Sequence, residues 1–132
     1  MFLKNKVFLL LLFLGVDFVS TNCRPKVTFP GFDSAAWIGD SFACQNVRRN
    51  LIPELKKIRR ELRGLAISQL MNVLGKPDSE ALLAGNERIY YYYLMPGTQC
   101  QNKQELSSAN KLMIRFNALE QVSEVLFEQP VP

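Results

Sequence analysis

Three cysteines, Cys23, Cys44 and Cys100, are the side chains of this 132-residue chain whose type and spacing could support chemistry, and the chain has no histidine to activate them. Without imidazole there is no Ser-His-Asp or Cys-His nucleophile, no histidine metal ligand and no imidazole pH switch. Three thiols fall short of a four-ligand thiolate site, and no Cys-x-x-Cys motif marks a redox pair. The acids Asp33, Asp40, Asp78, Glu80 and Glu87 are scattered, with no spacing that fixes a carboxylate pair. There is no phosphate loop. The residues therefore point to no catalytic site, no metal site and no cofactor. A hydrolase whose carboxylates converge only in space stays open as the third of three readings.

The cysteines suit covalent roles of another kind. Lys4 and Lys6 precede Val7 to Val16 (VFLLLLFLGV), ten residues without a polar side chain, and Asp17 and a more polar stretch lead to Cys23. A basic start, a short apolar run and a polar exit describe a secretory signal peptide. A bilayer-spanning helix needs roughly 20 apolar residues, so this run is short for a permanent anchor. Residues 1–22 are assigned to the signal. The stretch Val19-Ser20-Thr21-Asn22-Cys23 resembles a bacterial lipobox, although Ser20 and Asn22 stand where leucine and a small residue are usual. Lipidation of Cys23 is the expectation. An ordinary secreted product and an uncleaved anchor are the alternatives.

Export also bears on the other two thiols. If Cys23 is acylated, Cys44 and Cys100 remain to pair in a disulfide-permissive compartment. The alternative is two separate buried thiols. A bridge would pin the 15-residue segment Pro96–Asn110, long for a hairpin loop, onto the first helix.

The elements that must position these residues follow from periodicity. Residues 23–32, rich in Pro and Gly, read as a lipid-anchored tether, and 33–128 as a single domain. With 48% apolar and 21% charged residues, the chain can bury a core. Asp33 or Ser34 can cap a helix. Trp37, Cys44, Val47, Leu51, Leu55, Ile58, Leu62 and Leu65 then recur at spacings of 7, 3, 4, 4, 3, 4 and 3. That is one helical face, so a helix is predicted over 34–63 with a bend near 50–53 at Pro53. Ile67, Leu70, Met71 and Leu74 mark a second helix that ends at Gly75. Residues 78–87 read as a loop with a possible helical turn at 79–84. Three strands follow, at 88–95, 111–117 and 121–128, with short connections that make them antiparallel. The prediction is an α+β fold, two N-terminal helices packed on a three-stranded antiparallel sheet (ααβββ).

Charge is concentrated on the first helix. Residues 48–63 hold Arg48, Arg49, Lys56, Lys57, Arg59, Arg60 and Arg63 against Glu54 and Glu61, a net of +5. From Cys23 onward, 14 basic and 11 acidic side chains give +3, so the remainder sums to −2. All seven basic groups are predicted on the solvent side, opposite the apolar stripe. Arg49, Lys56, Arg60 and Arg63 are the candidate contacts to a membrane surface or an acidic envelope protein. The bland alternative is a solvated helix back. Nucleic acid is not an expected partner, given export and no aromatic residues on that face. Tyr90 to Tyr93 should place two tyrosines on each side of one strand, one pair on the helices and one pair toward a partner or solvent.

Leu65–Asp78 (LAISQLMNVLGKPD), the tyrosine-rich strand, the Leu112–Asn117 strand and a closing strand through Val122 together resemble the SmpA/OmlA family, which includes the BamE-type lipoprotein of outer-membrane barrel assembly. The likeness covers about residues 64–128. It implies an ααβββ fold, an acylated N-terminal cysteine and a non-catalytic accessory role at the outer membrane. The block from Phe32-Asp33 through Trp37, Asp40, Cys44 and Arg48 to Pro96-Gly97-Thr98-Gln99-Cys100 also resembles uncharacterised lipoproteins of Bacteroidetes-type bacteria. The leading expectation is thus an exported, lipid-anchored envelope protein that acts as a structural or interaction module. The second is a secreted inhibitor-like binder of the β-lactamase-inhibitor type.

Overall fold

A computed structural model of the chain describes residues 24–128. The helical part comprises α1 (Ser34–Gly39), a 3-10 turn (Ser41–Ala43), α2 (Val47–Asn50), α3 (Ile52–Ile58) and α4 (Ile67–Leu74). The sheet part comprises β1 (Ser79–Leu82), β2 (Arg88–Tyr93), β3 (Lys111–Phe116) and β4 (Val122–Glu128), with a 3-10 turn at Thr98–Cys100 between β2 and β3. The four strands form one antiparallel meander in the order β1-β2-β3-β4. The fold is α+β, but the prediction of two helices on three strands is corrected on both counts.

The single helix expected over 34–63 breaks first at residues 40–46. The Asp33 carboxylate caps α1 by accepting from Ala36 N at 2.9 Å. Asp40 then accepts from Gln45 N at 2.8 Å and Arg48 N at 3.0 Å. A short acidic side chain that bonds backbone N–H groups competes with the helix for them. Phe42, Ala43 and Asn46 take positive φ values of 62°, 58° and 66°, incompatible with a continuous helix. The apolar stripe is real, but it is carried by three short helices around a corner. Pro53 sits in the first turn of α3, where its missing N–H leaves no intrahelical bond unmade.

The fourth strand comes from residues expected as a loop. Ser79–Leu82 pairs in register with Arg88–Tyr91. The turn between them contains Gly85 and Asn86, both at positive φ (81° and 63°), which suits the twist of a tight hairpin. The Asp78 carboxylate accepts from Tyr93 N at 2.8 Å, and Asp78 N donates to Tyr91 O at 2.9 Å, so Asp78 fastens the start of β1 to β2.

Alternation along the strands divides the sheet into two faces. Tyr90, Tyr92, Leu94, Leu112, Ile114, Phe116, Val122 and Val125 join Trp37, Leu55, Ile58, Leu62, Leu70, Val73 and Leu74 in one core. Trp37 is fully buried, with its ring 5.8 Å from Phe32 and 6.4 Å from Tyr92. Fully burying each large apolar side chain contributes about 1.5–3 kcal/mol. Within the segment expected as a tether, Val27 and Phe29 pack against this core and Phe32 is part of it.

α4 begins where Gln69 Oε1 accepts from Ala66 N at 3.1 Å. It ends at Gly75, whose φ of +71° and position 2.9 Å (for an added Cβ) from Ile38 both favour glycine. The segment before α4 runs beside β4: Gly64 N donates to Val122 O, and Val122 N to Leu65 O, each at 2.8 Å. The free edge of β4 is thereby covered at its start.

Candidate functional site: a disulfide-stapled corner and an arginine-lined groove

Cys44 and Cys100 are joined in a disulfide, with Cα atoms 5.7 Å apart and 56 residues of separation. It links the end of the first 3-10 turn to the end of the second. Cys44 does not point at the sheet from a helical stripe as expected. It is exposed, because the chain has already turned at Phe42 and Ala43. Gln99 secures the same junction, its amide donating to Phe42 O at 3.1 Å and Met95 O at 2.8 Å. Cys23 lies outside the described residues.

The loop after Cys100 folds over the second face of the sheet. Ser107 N donates to the Tyr93 hydroxyl at 2.9 Å, and Lys111 Nζ donates to Ser107 O at 2.8 Å. Tyr93 is therefore covered, Tyr90 and Tyr92 lie in the core, and Tyr91 alone of the four is half-exposed. Burial raises the pKa of Tyr91, Tyr92 and Tyr93, with Tyr92 shifted furthest above the ordinary tyrosine range.

Of the seven basic residues, Lys57 is exposed with its ammonium 4.0 Å from Glu54 Oε1, and the other six divide into three groups. Arg48, expected on the solvent face, is buried and corrects that expectation. Its Nε donates to Trp37 O at 3.0 Å, its Nη1 donates to Asp78 Oδ2 and Tyr93 O, and its guanidinium lies 4.6 Å from the Trp37 ring centroid. The corner at 40–46 turns this side chain inward. Arg59 covers the β4 edge: Nε donates to Val125 O at 2.8 Å, and the guanidinium lies 5.8 Å from the Phe127 ring, as does the Lys56 ammonium. Arg49, Lys56, Arg60 and Arg63 are exposed, with no carboxylate within ion-pair distance among the described residues.

Two of these four candidates converge on a cavity. Arg60 and Arg63, with Arg59, line an open groove of about 720 Å³ that also takes in Arg115 and Glu124 from the β3–β4 pair and Glu87 before β2. Arg49 and Lys56 are not part of it. The register of β3 and β4 shifts between Arg115 and Phe116, a bulge that bends the strands beside the groove. Arg115 Nη1 is 3.4 Å from Glu124 Oε2, while its Nε is buried without an acceptor among the described residues. Arg115 was not legible as a site residue, because its strand position reveals its face and not its neighbours across the edge.

Guanidinium groups hold carboxylates and other oxyanions through paired N–H donors, and the groove carries four of them against the carboxylates of Glu87 and Glu124. Among the described residues no group of three or more His, Cys, Asp or Glu could hold a metal ion, and no helix is long and apolar enough to cross a membrane.

The class defined so far is a small, disulfide-stapled α+β domain with a cationic groove at one sheet edge. No family model matches the chain, and no curated protein or solved structure is significantly similar to it.

Proposed function

We propose that the chain is an exported cell-envelope lipoprotein, anchored at the outer membrane through acylated Cys23, that works as a non-catalytic protein-interaction module. The observation that carries this reading is the Cys44–Cys100 disulfide. Such bonds persist in oxidising compartments, and this one leaves Cys23 as the remaining thiol, directly behind a basic and apolar leader. Acyl chains contribute about 0.8 kcal/mol per buried methylene, so a multiply acylated cysteine would hold a domain of this size on a membrane. The interaction role is supported by Arg49, Lys56, Arg60 and Arg63, four exposed cations without carboxylate partners among the described residues. Their field attracts an acidic envelope partner. The likeness to SmpA/OmlA proteins would make the module an accessory to outer-membrane assembly.

Intact-mass analysis of protein purified from native membranes tests the anchor. The mature mass should lack residues 1–22 and carry acyl chains, and a Cys23→Ser variant should leave the membrane fraction. A product that keeps its leader, or a Cys23→Ser variant that still sediments with membranes, overturns the anchor. Changing Arg49, Lys56, Arg60 and Arg63 together to Glu should remove the partners recovered with the wild type, and an unchanged set overturns the interaction surface.

A further inference from the structure

We propose that the groove at the β3–β4 bulge binds an acidic peptide segment, with Arg60, Arg63 and Arg115 holding its carboxylates. The proposal rests on the reading of the chain as an interaction module and specifies its partner's chemistry.

The groove has more donors than the protein uses. Arg59 commits Nε to Val125 O. Arg115 reaches Glu124 through Nη1, yet buries Nε without an acceptor among the described residues. Arg60 and Arg63 have no carboxylate partner there. The exposed guanidinium groups of Arg60 and Arg63 are the donors open to an incoming oxyanion.

The charge sum specifies the ligand. Four guanidinium groups and two carboxylates, Glu87 and Glu124, line the groove, a net of +2. A segment with two carboxylates complements that charge. A densely phosphorylated polymer would meet both built-in acids at close range. Leu126, half-buried in the same wall, offers apolar surface to a side chain between the carboxylates, whereas Phe116 and Val125 are buried in the core.

The backbone selects the mode of binding. Along the free edge of β4, Val122 is bonded through both N and O to Leu65 and Gly64, and Val125 O is taken by Arg59. These groups are unavailable to a strand added at the sheet edge. The segment is held by side-chain charge across the groove.

Fluorescence anisotropy with the full mature chain, disulfide intact, tests this. The probe is a fluorescein-labelled pentapeptide, Glu-Leu-Glu-Leu-Gly, end-blocked by the dye and an amide, beside the same peptide with Gln for Glu. The Glu peptide should bind and the Gln peptide should not. Arg60→Gln with Arg63→Gln should weaken binding by about tenfold or more. Arg115→Lys, which keeps the charge and loses the fork, should weaken it by about threefold or more. Arg49→Gln, outside the groove, should change it by less than about twofold. Thermal melting establishes that each variant is folded. Equal binding of both peptides overturns the proposal. So does an Arg49→Gln loss as large as that of the groove variants, which would mean diffuse attraction and leave the broader interaction reading standing. Binding of anionic phospholipid vesicles but not of the Glu peptide overturns it in favour of a membrane surface.

Discussion

Arg48 and Asp78, thirty residues apart, form an ion pair with both side chains closed to solvent, at 1% and 2% exposure. The pair joins the helical corner to the start of the sheet. Asp78 also accepts from Phe42 N at 3.0 Å and Tyr93 N at 2.8 Å. Arg48 in turn bonds Trp37 O and Tyr93 O. The two residues therefore unite α1, the first 3-10 turn, α2 and β2 at one point.

Removing one member should hurt unequally. Asp78→Ala leaves a buried guanidinium without its counter-charge and two backbone N–H groups without their acceptor, at a cost of about 3–5 kcal/mol. Arg48→Met keeps the two N–H donors on Asp78 and should cost less. Urea denaturation of both variants measures the order. An Arg48→Met midpoint at or below that of Asp78→Ala would contradict this account.

The disulfide should stabilise chiefly by restricting the unfolded chain. Closing 56 residues contributes about 4 kcal/mol by chain entropy. Cys44→Ala with Cys100→Ala should lower the melting temperature and speed amide exchange in residues 97–110, ahead of the β3–β4 pair. A uniform rise in exchange across the sheet would show that the bond holds more than this junction.

Stability should fall at high pH. Burial holds the Tyr92 phenol protonated above its ordinary pKa of 10.0, with Tyr90 and Asp78 adding to the shift and Arg48 opposing it. A raised folded-state value means the contribution is complete below pH 10. It is lost as pH rises from there toward the folded value, because the unfolded tyrosine releases its proton first. Tyr92→Phe gives up the bond from the hydroxyl to Gly75 O (2.9 Å), about 1 kcal/mol at neutral pH. Its stability should then decline less steeply than that of the wild type above pH 10. Parallel curves from denaturation at stepped pH would rule this out.

Gly75→Ala should destabilise by about 1–2 kcal/mol. The new Cβ would stand 2.9 Å from Ile38 Cγ1 at a φ of +71°, a conformation that L side chains rarely adopt. A melting temperature equal to that of the wild type would mean that α1 yields without cost.

Much of the architecture was legible in local pattern. The i, i+3, i+4, i+7 spacing of Ile67, Leu70, Met71 and Leu74 corresponds to α4, and the alternation of Leu112, Ile114 and Phe116 to the core face of β3. The two-residue period also separated Tyr90 and Tyr92 from Tyr91 and Tyr93. A missed local signal was Gly85-Asn86, the turn that converts Ser79–Leu82 into a fourth strand.

Residue type and spacing by themselves determined which faces of α4 and the strands are apolar, and offered Cys44 and Cys100 as a pair only on condition that Cys23 is acylated. Tertiary structure alone decided that Arg48 lies inside, that Arg59 covers a strand edge, and that Arg60 and Arg63 line one groove with Arg115. Periodicity encodes the side of an element on which a residue lies. It carries nothing about the carboxylate, carbonyl or second arginine that a distant segment brings to that side, and here Asp78 pins a helical corner that Asp40 forms locally, while distant strands complete the charge of the groove.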